Sequence, residues 1–137
     1  AWLGDTFVKG HIPEIKAMAS SMVTAYPFLL AVAFFFASTL LYSQAATTQA
    51  LVPAVILALG ITPENTGSVY IIIASFAAVS ALFVLPTYPT LLGAVQMDDT
   101  GSTRIGHLVF NHPFFIPGVL AIAISVALGF VIAPLML

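Results

Sequence analysis

The chain has 137 residues, of which 61% are hydrophobic and 6% charged, with 3 Lys or Arg against 5 Asp or Glu. An average soluble domain is roughly 25% charged, so this composition, with a mean hydropathy of +1.12, describes an integral membrane protein. A formal charge of −2 leaves no basic patch for nucleic acid, and the absence of cysteine excludes disulfides and thiolate metal sites.

The charged side chains are Asp5, Lys9, Glu14, Lys16, Glu64, Asp98, Asp99 and Arg104, which mark the water-facing ends of the chain. Positions 17–63, 65–97 and 105–137 carry none. The chain opens Ala-Trp-Leu-Gly, with neither an initiating Met nor a basic leader, and reads as a piece of a larger protein. A few hydrophobic segments seldom enclose a solute pathway alone, and transporters usually pair two such halves.

Taken in order, residues 1–26 hold mixed charge, two glycines and Pro13, and read as an interfacial or loop segment. Pro13 at a first helical turn with Glu14 beside it suits a helix start. Residues 27–61 are uncharged and mostly apolar around a polar knot at 42–49, Tyr42-Ser43-Gln44-Ala45-Ala46-Thr47-Thr48-Gln49. The arms on either side, 27–41 and 50–61, reach roughly 22 and 18 Å at about 1.5 Å per residue, short of a hydrocarbon core of about 30 Å. Two half-length helices meeting at a hydroxyl-rich tip describe a re-entrant hairpin better than two full spans. Backbone of that kind is tolerated at depth only where protein buries it or water reaches it.

Gly60 and the cluster Thr62-Pro63-Glu64-Asn65 then read as a turn. Residues 66–97 are expected to form a discontinuous transmembrane helix, broken at 85–90 where Pro86 and Pro89 remove two backbone donors. A polar loop follows at 98–112, and residues 113–137 read as the final transmembrane helix. The fold class is therefore all-α and integral to the membrane.

Two interruptions close together in the chain suit a midplane site built from unwound backbone. A helix restarting in the polar knot would turn free N–H groups and the positive end of its dipole toward the tip, where they favour an anion. Hydroxyls of Ser43, Thr47 and Thr48 and the amide of Gln44 add neutral donors, which can hold a carboxylate without the permanence of a fixed cation. At the second break, Thr87 and Thr90, with backbone freed near Pro86 and Pro89, could take a second carboxylate or line the route. The competing reading is that these groups cap helices or glue them together. Asp99-Thr100-Gly101-Ser102 matches the Asp-Thr-Gly-Ser of aspartic peptidases, but that chemistry needs two carboxylates sharing a proton on a β scaffold, and the match reads as a turn. His11, His107 and His112 lack ligand spacing, so no metal site and no cofactor is expected. No intramembrane carboxylate offers a proton relay.

Four runs carry a family resemblance: FFFASTLLYSQAAT at 34–47, SFAAVSALFVLPTYPT at 75–90, AVQMDDTGSTRIG at 94–106 and FNHPFFIPG at 110–118. They resemble the anaerobic C4-dicarboxylate transporter family (Dcu, A/B type), and the likeness covers essentially the whole chain as the C-terminal portion of such a transporter. The resemblance implies a multi-pass carrier in the bacterial inner membrane. It would exchange external fumarate, malate or aspartate for internal succinate during growth without oxygen, and would be no enzyme. It also implies the layout of the wider ion-transporter superfamily: this chain as one inverted-repeat half, with the hairpin tip at 43–48 and the unwound helix at 86–90. The tip here reads Ser-Gln-Ala-Ala-Thr-Thr where sodium-coupled relatives carry Ser-Asn-Thr, and the coupling ion stays open. Partners implied are the dicarboxylate, the N-terminal repeat of the same transporter, the lipid bilayer and a homo-oligomer. The alternative is a non-transporting membrane anchor or subunit, whose polar tip packs against a partner.

Overall fold

The computed structural model describes residues 26–100 and 113–137, together with positions 6, 10, 11, 13, 14, 17, 21, 23 and 25. Most of the interfacial segment expected at 1–26, and Gly101, Ser102, Arg104, His107 and His112 of the polar loop, lie outside the described residues. Among the described residues the protein is all helical, without a strand. We number the helices α1 (Leu29–Leu41), α2 (Gln44–Ala58), α3 (Val69–Ser75), α4 (Pro89–Met97) and α5 (Phe115–Met136), with a 3-10 segment, Phe76–Phe83, continuing α3.

Helix α1 follows Pro27, whose fixed φ suits a helix start. It ends at Tyr42, whose left-handed backbone (φ 50°, ψ 24°) stops the ladder after its N–H reaches the Ser38 carbonyl. Two residues later α2 begins behind Ser43, an extended N-cap whose hydroxyl accepts from the Ala46 N–H at 3.1 Å. This is the side-chain cap that serine is suited to supply. At the other end Gly60 takes a left-handed φ of 62°, as glycine does without steric cost. The Asn65 amide donates to the Gly60 carbonyl at 3.1 Å, and Thr62 and Asn65 exchange backbone hydrogen bonds, closing the turn into α3.

The interruption after α3 differs from one set by proline alone. Alpha-helical geometry ends at Ser75, well ahead of Pro86, and a 3-10 segment carries the chain to Phe83, with a non-helical ψ of 31° at Ala81. Ala81 kinks the stretch, so the 3-10 winding comes in two short pieces on either side of it, as expected of a helix whose hydrogen bonds are poorly aligned. The reason lies in α1. The Ser38 hydroxyl sits 3.2 Å from both the Phe35 and Ala78 carbonyls, and the Thr39 hydroxyl lies 2.8 Å from the Phe35 carbonyl and 3.1 Å from that of Ala81. Each hydroxyl proton is thus shared between its own helix and the carbonyls that the 3-10 winding turns outward. Ser38 and Thr39 are buried, so these bonds form away from water.

The core gathers Leu30, Ala31 and Phe34 of α1, Val55 of α2, Ile71 of α3 and Ala78 and Val79 of the 3-10 segment. Helix α5 packs on this layer through small residues and one aromatic pair. A Cβ at Gly129 would stand 2.8 Å from the Ala74 Cα, one at Gly118 would meet the Phe83 ring, and Phe130 meets Tyr70 edge to face at 6.4 Å. Among the described residues α5 is the one helix long and apolar enough to cross a membrane. Its 22 residues extend about 33 Å at 1.5 Å each. It leaves Ile116, Leu120, Ile124, Leu128 and Leu135 exposed, which lipid solvates and water would not. Helices α1 and α2, of 13 and 15 residues, reach only about 20 and 22 Å.

Ser75, where the α-helix stops, is completely buried and its hydroxyl has no hydrogen-bond partner. An orphaned buried hydroxyl costs about 1–3 kcal/mol of desolvation. Ser75→Ala is therefore expected to leave stability unchanged or raise it by about 1 kcal/mol, read as the unfolding midpoint of a complete transporter in detergent. A loss of stability would contradict this.

Candidate functional site

The two breaks come together at a pair of tyrosines. Tyr42, between α1 and α2, stacks on Tyr88, the residue capping α4, with ring centroids 6.2 Å apart and planes 14° from parallel. The Tyr42 hydroxyl is hydrogen-bonded to that of Thr87. A second link runs from the Gln44 amide to the Ser80 hydroxyl of the 3-10 segment, at 3.4 Å. The N-terminal ends of α2 and α4, Gln44 and Pro89, thus follow immediately on a shared aromatic contact.

Each end has unpaired donors by construction. The Ala46 N–H is taken by the Ser43 side chain and the Thr47 N–H by the Ser43 carbonyl. The N–H groups of Gln44 and Ala45 precede the first carbonyl that a helical bond could reach. In α4, Pro89 has no N–H, and the Leu92 N–H is the first in the ladder, bonded to the Tyr88 carbonyl at 3.0 Å. The N–H groups of Thr90 and Leu91 fall ahead of it. The two helix starts, linked through the Tyr42–Tyr88 stack and the Tyr42–Thr87 hydroxyl pair, have no acidic residue in either first turn, and each start favours negative charge.

The residues singled out from sequence divide into three groups. Ser43, Gln44 and Thr48 are exposed or half-buried at the start of α2. Thr47 is fully buried and donates to the Ser43 carbonyl at 2.8 Å, so it ties down the turn. Thr87 is exposed and joined to Tyr42, while Pro86 is buried and Pro89 opens α4. Thr90 lines an apolar groove of about 350 Å³ that Tyr88 shares with Phe83, Leu91, Phe114 and Gly118. Sequence reasoning missed Tyr42 and Ser80 as participants, and Ser38 and Thr39 as the support of the break. The run Ser38-Thr39 three residues before the polar knot was the available signal.

At the edge of the polar loop the Asp98 carboxylate accepts from the Thr100 N–H at 2.9 Å and from its hydroxyl, a local turn. Among the described residues no group of three or more His, Asp or Glu could hold a metal ion.

Short helices joined through breaks, beside one long lipid-facing helix, define a helical membrane protein whose polar groups are concentrated at the interruptions. The chain belongs to the anaerobic C4-dicarboxylate membrane transporter family, whose model matches residues 1–137. It is 68% identical to the C4-dicarboxylate transporter DcuA of Helicobacter pylori (strain ATCC 700392 / 26695) and 66% identical to DcuA of Wolinella succinogenes, over 100% of this chain in both cases. Over 97% of the chain it is 38% identical to the anaerobic C4-dicarboxylate transporter DcuB of Escherichia coli O6:H1. The chain spans 31%, 30% and 28% of the lengths of these relatives. No solved structure gives a significant match.

Proposed function

We propose that this chain is the C-terminal part of a secondary transporter that exchanges C4-dicarboxylates, taking fumarate, malate or aspartate in against succinate across the bacterial inner membrane. The observation that carries the reading is the Tyr42–Tyr88 stack, which links the breaks that precede α2 and α4. A dicarboxylate has two negative ends, and the two helix starts on either side of that stack offer one dipole and one set of N–H donors to each. Ser43, Gln44 and Thr48, with the free N–H groups of α2, hold one carboxylate. Thr47 acts from below by fixing the Ser43 turn. Thr87 and the α4 start hold the other, and Pro86 and Pro89 keep the backbone there unwound. Thr90 contributes its backbone N–H and lines the route with its side chain.

In this reading α1 and α2 form a re-entrant hairpin, which their short lengths support, and the chain crosses the membrane more than once. It is one inverted-repeat half on the plan of the ion-transporter superfamily, and the mirror-related half of the site comes from the N-terminal repeat. No bond is made or broken in the solute, because transport requires only that one site face each side in turn. Neutral donors suit this cycle: they bind a dianion and release it.

The test is counterflow of labelled succinate against fumarate in liposomes holding a complete transporter that carries this sequence. Gln44→Leu and Thr48→Val are expected to reduce uptake about tenfold or more while the protein inserts and unfolds normally, since both side chains lie outside the core. Unchanged uptake in both variants would remove the tip from the site.

A further inference from the structure

Tyr42 has a role in none of the carboxylate contacts above, yet its backbone is the unusual one. Among the described residues it is the non-glycine with positive φ, at 50°, a conformation bulky side chains seldom adopt. That conformation carries the ring to Tyr88 and the hydroxyl to Thr87. Tyr42 is half-buried and Thr87 exposed, so their hydroxyl pair sits at an accessible edge. A phenol is a stronger acid than an aliphatic alcohol, and Tyr42 is the better donor of the two. With its oxygen accepting from Tyr42, the Thr87 hydroxyl keeps its own proton to give outward, and donors in such a chain polarise one another.

Resting on the dicarboxylate reading above, we propose that Tyr42 is a positioning residue of that site. Its hydroxyl donates to Thr87 and so turns the Thr87 proton toward an incoming carboxylate, while its ring, stacked on Tyr88, fixes the spacing between the α2 and α4 starts. The two functions separate by substitution. Tyr42→Phe keeps the stack and loses the donor; Tyr42→Leu loses both.

Counterflow kinetics in liposomes with the complete transporter test this. Tyr42→Phe is expected to raise KM for fumarate about three- to tenfold with the maximal rate nearly unchanged. Thr87→Val should raise KM at least as much, and Thr87→Ser should restore it. The double variant Tyr42→Phe/Thr87→Val should be no worse than Thr87→Val alone, because the phenol acts through that threonine. Tyr42→Leu should lower the maximal rate as well. An unchanged KM in Tyr42→Phe overturns the proposal, whatever happens to the maximal rate, and so do single effects that multiply in the double variant. If Thr87→Val weakens uptake and Tyr42→Phe does not, the role of Tyr42 fails and the site stands. If Thr87→Val itself leaves KM unchanged, the place of Thr87 in the site fails with it.

Discussion

Gly129→Val is expected to force α5 away from α3 and to leave little folded transporter in the membrane. A Cβ at this position would lie 2.8 Å from the Ala74 Cα and 3.0 Å from its carbonyl oxygen. Both are backbone atoms, so no rotamer change relieves the clash. Apolar burial drives helix association weakly in lipid, where small residues that allow close approach supply the packing instead. Overpacking costs about 1–3 kcal/mol where neighbours can yield, and about 3 kcal/mol or more is expected here. Gly118 provides the internal comparison. A Cβ there would come within 2.3 Å of the Phe83 ring, but the ring ends a side chain and can turn toward the groove shared with Phe114. Gly118→Ala should therefore cost about 1 kcal/mol and Gly129→Ala more. Thermal unfolding of the purified transporter, followed by circular dichroism, gives the order. The reverse order would show that the α3–α5 approach is looser than described.

The second large effect is expected from Ser38→Ala combined with Thr39→Val. These changes remove the donors that reach the Ala78 and Ala81 carbonyls, at 3.2 and 3.1 Å, from a buried interface. A buried acceptor that loses its partner costs about 1–3 kcal/mol. The loss is graver at Ala81, where the backbone bond from the Val84 N–H is long at 3.4 Å. Thr39→Val preserves shape, so its cost reports the hydrogen bond rather than a cavity. The pair together should lower stability by about 2–4 kcal/mol and, under the proposed function, depress uptake, because the 3-10 segment carries Ser80 and leads into Thr87. Thr39→Ser should restore most of both. A double variant that unfolds and transports like the parent would mean that the 3-10 winding holds without α1.

How much of this could be read from the residues depends on whether the cause of a feature is local. The helix at Phe115–Met136 is legible because an uncharged apolar run of that length has few other stable forms in a bilayer. Ser43 as an N-cap and Gly60 as a stop are equally local, since each acts on its own turn. The start of the broken stretch was not legible. Prolines advertise the end at 86–89, but the α-helix gives way at Phe76, under hydroxyls about forty positions earlier in the chain. The position of Tyr42 was hidden for another reason: a tyrosine carries no signal that it will adopt left-handed backbone. Of the site, the polar knot and the Pro86–Pro89 stretch stood out from their apolar surroundings. That the two breaks would be linked by the Tyr42–Tyr88 stack, and that Thr47 would be buried while Thr90 lined a groove, follows from packing alone.

The winding of Phe76–Phe83 also carries a mechanical corollary. At about 2.0 Å per residue a 3-10 helix is longer than an α-helix at about 1.5 Å, so the residues from Phe76 up to the kink at Ala81 hold roughly 2–3 Å of slack. Rewinding them would draw Thr87 and α4 toward Ser75 like a thread taken up on a bobbin, with no need to bend the rod at Phe115–Met136. The protein thus has its adjustable length in the same stretch that two side chains of its neighbour keep paid out.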